Sequence, residues 1–374
     1  MTARTPVDPN GLMEFSVVFT DRSLNHMSKS FQSVMTDISS MLSEVYNADE
    51  VALVPGGGTF AMEAVARQFG GGAHALIIRN GWFSYRWSQI FEAGNFAAKT
   101  TVMKARQAGN DSRAPFAPAP IEDIVAAILE AKPDVVFAPH VETSAGLILP
   151  DDYLKAMADA AHEVGALMVL DCIASGCIWV DMKATGVDVL ISAPQKGWSA
   201  TPSAGLVMMS QRAAARLAET TSDSFAMDLK KWRSIMAAYE GGGHAYHLTM
   251  PTDGLRALRD TMAETKTYGF DKLKAAQWDL GRKVRAILAA KGIKSVAAEG
   301  FQAPGVVVGY TDDPLVQNGS KFAAQGMQIA AGVPLQCDEP EDFCTFRLGL
   351  FGLDKLYDVD STVGRLTPVL EAVL

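Results

Sequence analysis

Between Val51 and Met209, short runs of Val, Ile, Leu and Ala recur at 51–54, 75–79, 134–138, 166–170, 188–192 and 205–209. The runs are apolar throughout rather than alternating, as expected for strands covered on both faces. Helical patterns at 59–69, 120–131 and 151–164 fill the gaps, with Asp151 and Asp152 suited to a first turn. Strand–helix–strand alternation calls for a parallel sheet, because parallel neighbours need a crossover connection. With a further strand candidate inside 95–104, the expectation is an α/β fold built on a mainly parallel, seven-stranded sheet.

After Gly241-Gly242-Gly243 the pattern changes. Helical character runs over about 252–291, with a break expected near Gly269. A strand at 305–310, a helix near 319–329, a strand at 344–350 and a closing helix follow. That predicts a smaller α+β C-terminal domain, and 374 residues are ample for two cores. The expected division is an N-terminal arm at 1–20, a large domain at 21–255 and a small domain at 256–374. An amphipathic helix is expected at 28–46.

The net charge of −9 leaves no basic footprint for a nucleic-acid partner. No apolar stretch approaches the roughly 20 residues that span a bilayer. Met1 to Asn10 contain no apolar core of a signal peptide. Cys172, Cys177, Cys337 and Cys344 form no C-x-x-C pair and no zinc-ligand spacing. The expectation is a cytoplasmic protein with free thiols, no metal site and no membrane contact.

In open α/β sheets, ligands bind beyond the carboxyl ends of the strands. The first run ends in Pro55-Gly56-Gly57-Gly58-Thr59 and enters a helix, a turn suited to cradling a phosphate. The run 166–170 ends in Asp171. The run 188–192 ends in Ser192-Ala193-Pro194-Gln195-Lys196-Gly197-Trp198. A lysine among Pro, Gly and Trp is desolvated, and desolvation favours the neutral amine that attacks a carbonyl. Asn80 to Tyr85 and His140 to Gly146 place aromatic rings and hydroxyls at the same rim. Phe346-Arg347-Leu348-Gly349 puts one arginine inside an apolar strand, where it needs an anion: a substrate carboxylate or an internal partner.

Taken in order, these segments resemble the class V aminotransferases of the fold type I pyridoxal-phosphate enzymes, most of all the alanine/serine–glyoxylate branch. The resemblance implies pyridoxal 5′-phosphate held on Lys196 as a Schiff base, with Asp171 at its pyridine nitrogen and Ile173 packed on its ring. It implies Gly57, Gly58, Thr59 and Gln195 around the phosphate, without the serine that usually precedes Gly58. It assigns Phe83, with Trp82 adjacent, to ring stacking. Ser144 falls near the phenolic oxygen and Arg347 at the substrate carboxylate. Tyr246-His247-Leu248-Thr249-Met250-Pro251 resembles a segment whose Tyr and Thr reach the neighbouring subunit's cofactor, which implies a homodimer. The implied activity is ping-pong transamination between a small amino acid and a small 2-oxo acid.

Other chemistries fit parts of the pattern. Cysteine desulfurases share the architecture, and Cys337 and Cys344 precede Arg347 closely. A nicotinamide-dependent dehydrogenase would use the glycine turn and Arg79, but Gly56 to Met62 reads G-G-G-T-F-A-M, without the third glycine. A non-catalytic binding protein on this fold would lack a reason to keep Lys196, Asp171 and Arg347 together.

Overall fold

A computed structural model describes residues 7–374. The reading of Met1 to Pro6 therefore lies outside the described residues. The principal elements, in chain order, are α1 (Lys29–Tyr46), β1 (Glu50–Pro55), α2 (Gly58–Gly70), β2 (His74–Arg79), α3 (Trp82–Gly94), β3 (Lys99–Lys104), α4 (Ile121–Ala131), β4 (Val135–Pro139), α5 (Asp151–Glu163), β5 (Leu167–Asp171), β6 (Val189–Ser192) and β7 (Ala204–Met209). They continue with α6 (Leu229–Glu240), α7 (Thr252–Tyr268), α8 (Phe270–Ala290), β8 (Val306–Tyr310), β9 (Ala330–Ala331), β10 (Thr345–Gly349) and α9 (Val359–Val373).

Strands β1 to β7 form one seven-stranded sheet in the order β1-β7-β6-β5-β4-β2-β3. Only β7 runs antiparallel to its neighbours. The central strands β4, β5 and β6 are buried at every position, which is why their sequences carry no polar alternation. Because the sheet is otherwise parallel, β1, β2, β4, β5 and β6 all deliver their last residues to one edge. Register fixes that edge closely: Asp171 ends β5 opposite Pro139 of β4 and Ile191 of β6.

The amphipathic helix α1 buries Phe31, Val34, Met35, Ile38 and Leu42, the spacing of one helical face, against α7. Its N-terminus is capped by Ser28, whose Oγ accepts from the Phe31 amide at 3.1 Å. The helical run 252–291 breaks where expected: Gly269 adopts φ +111°, separating α7 from α8. The helix expected near 319–329 is shorter. It spans Ser320–Ala324 and stops because Gly326 turns to φ +73°, after which the chain joins the second sheet at β9. That sheet has the order β8-β10-β9, and Arg347 stands on its central strand opposite Val308 and Ala330.

Candidate active site

The lysine turn is built by close packing. A Cβ at Gly197 would fall 2.2 Å from the Gly176 carbonyl oxygen, so the chain beside Lys196 presses directly on another backbone. Trp198 is fully buried and packs on Trp179 at 4.8 Å between ring centres. Ser199 takes a positive φ of +55°, and its Oγ accepts from the Leu353 amide at 2.8 Å. Such strain persists where surrounding contacts over-determine the backbone. The result is a fixed pedestal that holds Lys196 beside Phe351, Nζ lying 5.5 Å from that ring's centre. A cavity of about 320 Å³ opens here, lined by Gln195, Lys196, Ser199, Thr261, Glu264 and Phe351 among others.

Lys196 forms no ion pair among the described residues. Burial lowers its pKa below the usual lysine value, Asp171 and Glu142 oppose that shift, and Arg347 and Arg86 reinforce it. Asp171 is buried, and desolvation pushes its carboxyl up to about 6. One of its oxygens accepts from the Ile173 amide at 2.9 Å; the other has no protein donor among the described residues. The structure therefore brings the Lys196 amine and the Asp171 carboxylate within electrostatic reach of each other, each left short of partners.

Gly57 and Gly58 open α2, where backbone N–H groups are unpaired and the helix end is electropositive. Nothing lies within 4 Å of a Cβ placed at Gly57, whereas one at Gly58 would meet Ile173 Cδ1 at 2.4 Å. The glycine at 58 thus lets Ile173 lie across the helix start, between the cradle and Asp171. Thr59 is exposed at the same helix end and accepts a hydrogen bond from Arg86 at 3.0 Å.

The α3 N-terminus completes the group. Glu142, 1 % exposed, accepts from the amides of Phe83 (3.2 Å), Ser84 (2.8 Å) and Ser144 (3.0 Å) and from the hydroxyls of Ser84 and Ser144 (2.7 Å each). Ser144 is fully buried; it donates to Glu142 and accepts from the Trp82 amide at 2.9 Å, so its proton is committed to the helix cap. This buried carboxylate holds the turn from which Phe83 projects. Arg347 and Arg86 lie 5.3 and 5.4 Å from the Phe83 ring centre, while Trp82 packs instead on Tyr85. The ring facing the two cations is that of Phe83.

Arg347 is half-buried and forms no ion pair among the described residues; its Nε donates to the Ala331 carbonyl at 2.8 Å. Glu142 is the only opposite charge that raises its pKa, against a larger desolvation cost. The two terminal nitrogens of its guanidinium make no hydrogen bond among the described residues. Tyr246 and Thr249 are not brought to this group within one chain. They hydrogen-bond to each other at 3.1 Å on an exposed surface, Tyr246 being 54 % accessible. Gln195 borders the cavity beside Lys196.

Two residues of the site escape a reading of the sequence. Glu142 stands in the His140–Gly146 segment but draws no notice there, although a carboxylate directly after an apolar strand is itself a signal. Arg86 follows Phe83 by three residues and shares its helix face, a relation visible only once α3 is known to be a helix.

Replacing Glu142 by Gln keeps the volume but swaps an acceptor oxygen for an NH₂ that faces N–H and O–H donors. The expected loss is about 2–3 kcal/mol of stability, read as a lower urea midpoint with an unchanged slope.

The cysteines offer no nucleophile. Burial pushes the Cys337 thiol up to about 12, and its Sγ lies 3.3 Å from the Arg79 carbonyl. Cys344 is shifted up as well, also by desolvation. A desulfurase needs an accessible thiolate, and burial disfavours that form at both residues.

A buried carboxylate with a free oxygen, a desolvated lysine, a glycine cradle at a helix start and an aromatic face define a site for a phosphorylated pyridine aldehyde. The class V aminotransferase family profile matches residues 14–300, and the chain belongs to that family. It is 28 % identical over 359 residues to a 2-aminoethylphosphonate–pyruvate transaminase of Paraburkholderia phymatum, covering 92 % of this chain and 89 % of the relative. It is 26 % identical over 273 residues to an alanine–glyoxylate aminotransferase of Felis catus, covering 71 % and 61 %. The crystal structure of ureidoglycine–glyoxylate aminotransferase from Bacillus subtilis shares the fold, with a TM-score of 0.78 at 22 % identity over 94 % of this chain and 87 % of that one. The protein is a pyridoxal-phosphate-dependent aminotransferase that catalyses transamination between amino acids and 2-oxo acids. Among the described residues, no helix is long and apolar enough to cross a membrane.

Proposed function

We propose that this enzyme moves the amino group of a small amino acid, alanine- or serine-like, to a small 2-oxo acid, glyoxylate- or pyruvate-like. The observation that carries the reading is Arg347: an arginine without an internal anion, beside the Phe83 ring and felt by Lys196. It binds the carboxylate that donor and acceptor share, in two parallel hydrogen bonds. The relatives' names support a small 2-oxo acid as acceptor.

Pyridoxal phosphate, when bound, supplies the electron sink that lets an α-proton depart. The chain's own groups do the rest. The Lys196 amine, whose pKa burial lowers, would take the proton from the substrate α-carbon and deliver it two bonds along, to the cofactor carbon joined to the same nitrogen. Asp171, one oxygen of which has no donor among the described residues, would hold the pyridine nitrogen in its protonated form. Phe83 and Ile173 would cover the ring, Gly57 to Thr59 and Gln195 would hold the phosphate, and Ser144 positions the α3 cap. Arg347 turns the α-C–H bond toward Lys196.

The site is completed in a homodimer, Tyr246 and Thr249 of one protomer reaching the phosphate in its partner. Their exposure supports this, as do Leu12, Met13, Phe15 and Val17, which present apolar side chains to solvent in a single chain. Residues 21–255 act as the large domain and 256–374 as the small one, each with its own sheet, and of the arm expected at 1–20 the described part is 7–20. Four free cysteines agree with a cytoplasmic setting.

Titrating the cofactor-loaded enzyme with single amino compounds tests the donor, since a true donor bleaches the visible band. Alanine and serine should bleach it. Bleaching by 2-aminoethylphosphonate alone would transfer the assignment to a phosphonate donor. Arg347→Ala is expected to raise KM for both substrates about 30- to 100-fold, from the loss of a charge-assisted pair, with cofactor affinity unchanged in an absorbance titration.

A further inference from the structure

The cradle for the cofactor phosphate holds a charge deficit. Gly57, Gly58, Thr59, Gln195, Tyr246 and Thr249 supply backbone amides, hydroxyls and an amide side chain, none of them a formal positive charge. The serine expected before Gly58 is absent. A bound dianion would rest on dipoles alone, which is a weak arrangement for a half-buried group. One cation stands at this end of the site. Arg86 Nη1 donates to Thr59 Oγ1 at 3.0 Å, in the first turn of α2, and its guanidinium lies 5.4 Å from the Phe83 ring centre. It forms no ion pair among the described residues. Its charge is felt by both Asp171 and Lys196, so it lies close to the cofactor position as well as to the cradle.

We propose that Arg86 is a ligand of the cofactor phosphate, supplying the positive charge that the glycine cradle lacks. The assignment rests on the aminotransferase reading and adds a residue to it. The geometry explains the choice of arginine. A guanidinium can keep one N–H on Thr59 and turn the others toward the phosphate oxygens, and its plane can lie on the Phe83 ring while doing so. Arg86 thus couples the cradle to the stacking ring: the same side chain touches both.

The test compares pyridoxal phosphate with pyridoxal, which lacks the phosphate, in binding titrations followed by absorbance and by thermal shift. Wild-type protein should bind pyridoxal phosphate much more tightly than pyridoxal. In Arg86→Met, which keeps the stem packed on Phe83, the affinity for pyridoxal phosphate should fall about 10- to 100-fold. Its affinity for pyridoxal should stay within about twofold of wild type. Arg86→Lys, which keeps the charge without the fork, should lose less. Equal losses for both ligands would show a merely structural role and overturn the inference. So would an Arg86→Met protein that binds pyridoxal phosphate as wild type does. If Arg86→Met fails to fold, the Lys variant decides: a smaller loss confined to the phosphorylated ligand supports the phosphate contact, and an unchanged preference or a uniform loss for both ligands refutes it. A wild-type protein that binds neither compound would instead remove the cofactor site itself, and this ligand with it.

Discussion

Lys196→Ala is expected to lower turnover by about four orders of magnitude or more, because the variant loses the amine proposed both to hold the cofactor and to move the α-proton. The fold should survive. Gly197 on Gly176, Trp198 in its aromatic pocket and Ser199 on Leu353 all remain, and the side chain removed is a desolvated amine with no ion-pair partner among the described residues. Far-UV circular dichroism and the urea midpoint should therefore match wild type or exceed it. Added methylamine should restore part of the proton transfer, since a free amine can enter the vacated space. A variant that keeps more than a tenth of wild-type kcat would mean that another residue performs the step.

Asp171→Asn carries the second large effect, with opposite signs for activity and stability. Removing one partner of a buried charge pair costs about 3–5 kcal/mol, so kcat should fall by roughly two to nearly four orders of magnitude. Stability of the cofactor-free protein should move the other way. Burial pushes the Asp171 carboxyl up to about 6, above the roughly 3.9 of an unfolded aspartate. The folded state holds this proton more tightly than the unfolded chain does. The contribution is then full below about pH 4 and is lost as pH rises through 6, amounting to about 3 kcal/mol of cost at neutral pH. Asparagine cannot ionise, and its carbonyl can still accept from the Ile173 amide. Urea unfolding at pH 7.5 should show the cofactor-free variant more stable than wild type by up to that amount. The difference should vanish near pH 4. A variant less stable at both pH values would mean that the Asp171 environment is not desolvated.

Both predictions place function and stability in opposition at one spot. Lys196 and Asp171 are costly to bury in the empty protein, and each lacks the partner that would offset the cost. That shortage is what a cofactor with an aldehyde at one end and a pyridine nitrogen across the ring relieves. In the framework around them Glu142 is saturated with donors, and Trp198 is closed in by aromatic rings although its indole N–H has no partner among the described residues.

The sheet was legible in the sequence because its central strands are buried on both faces, and a continuous Val/Ile/Leu run has few other uses. Asp171 and Lys196 were legible for the same reason: each ends or follows such a run, and a parallel sheet sends those ends to one edge. The break at Gly269 could be read from the glycine itself. The helix expected near 319–329 could not be bounded, since the turn at Gly326 depends on β9 pairing with β10, a contact set by the second sheet. Arg86 and Glu142 stayed hidden because their roles depend on α3. The Glu142 carboxylate meets amides 58 and 59 residues earlier in the chain, a relation that periodicity does not encode. That Phe83 rather than Trp82 faces the two arginines could be seen only in the structure.

The central claim is that the amine at position 196 is the one that carries the cofactor. Treating the loaded protein with borohydride fixes the cofactor covalently to whichever amine holds it, and peptide mass spectrometry then locates the adduct. The account predicts a single modified peptide bearing the added mass on Lys196, absent from the Lys196→Ala protein. An adduct on any other lysine, or no adduct in a protein that shows the visible band, would contradict it.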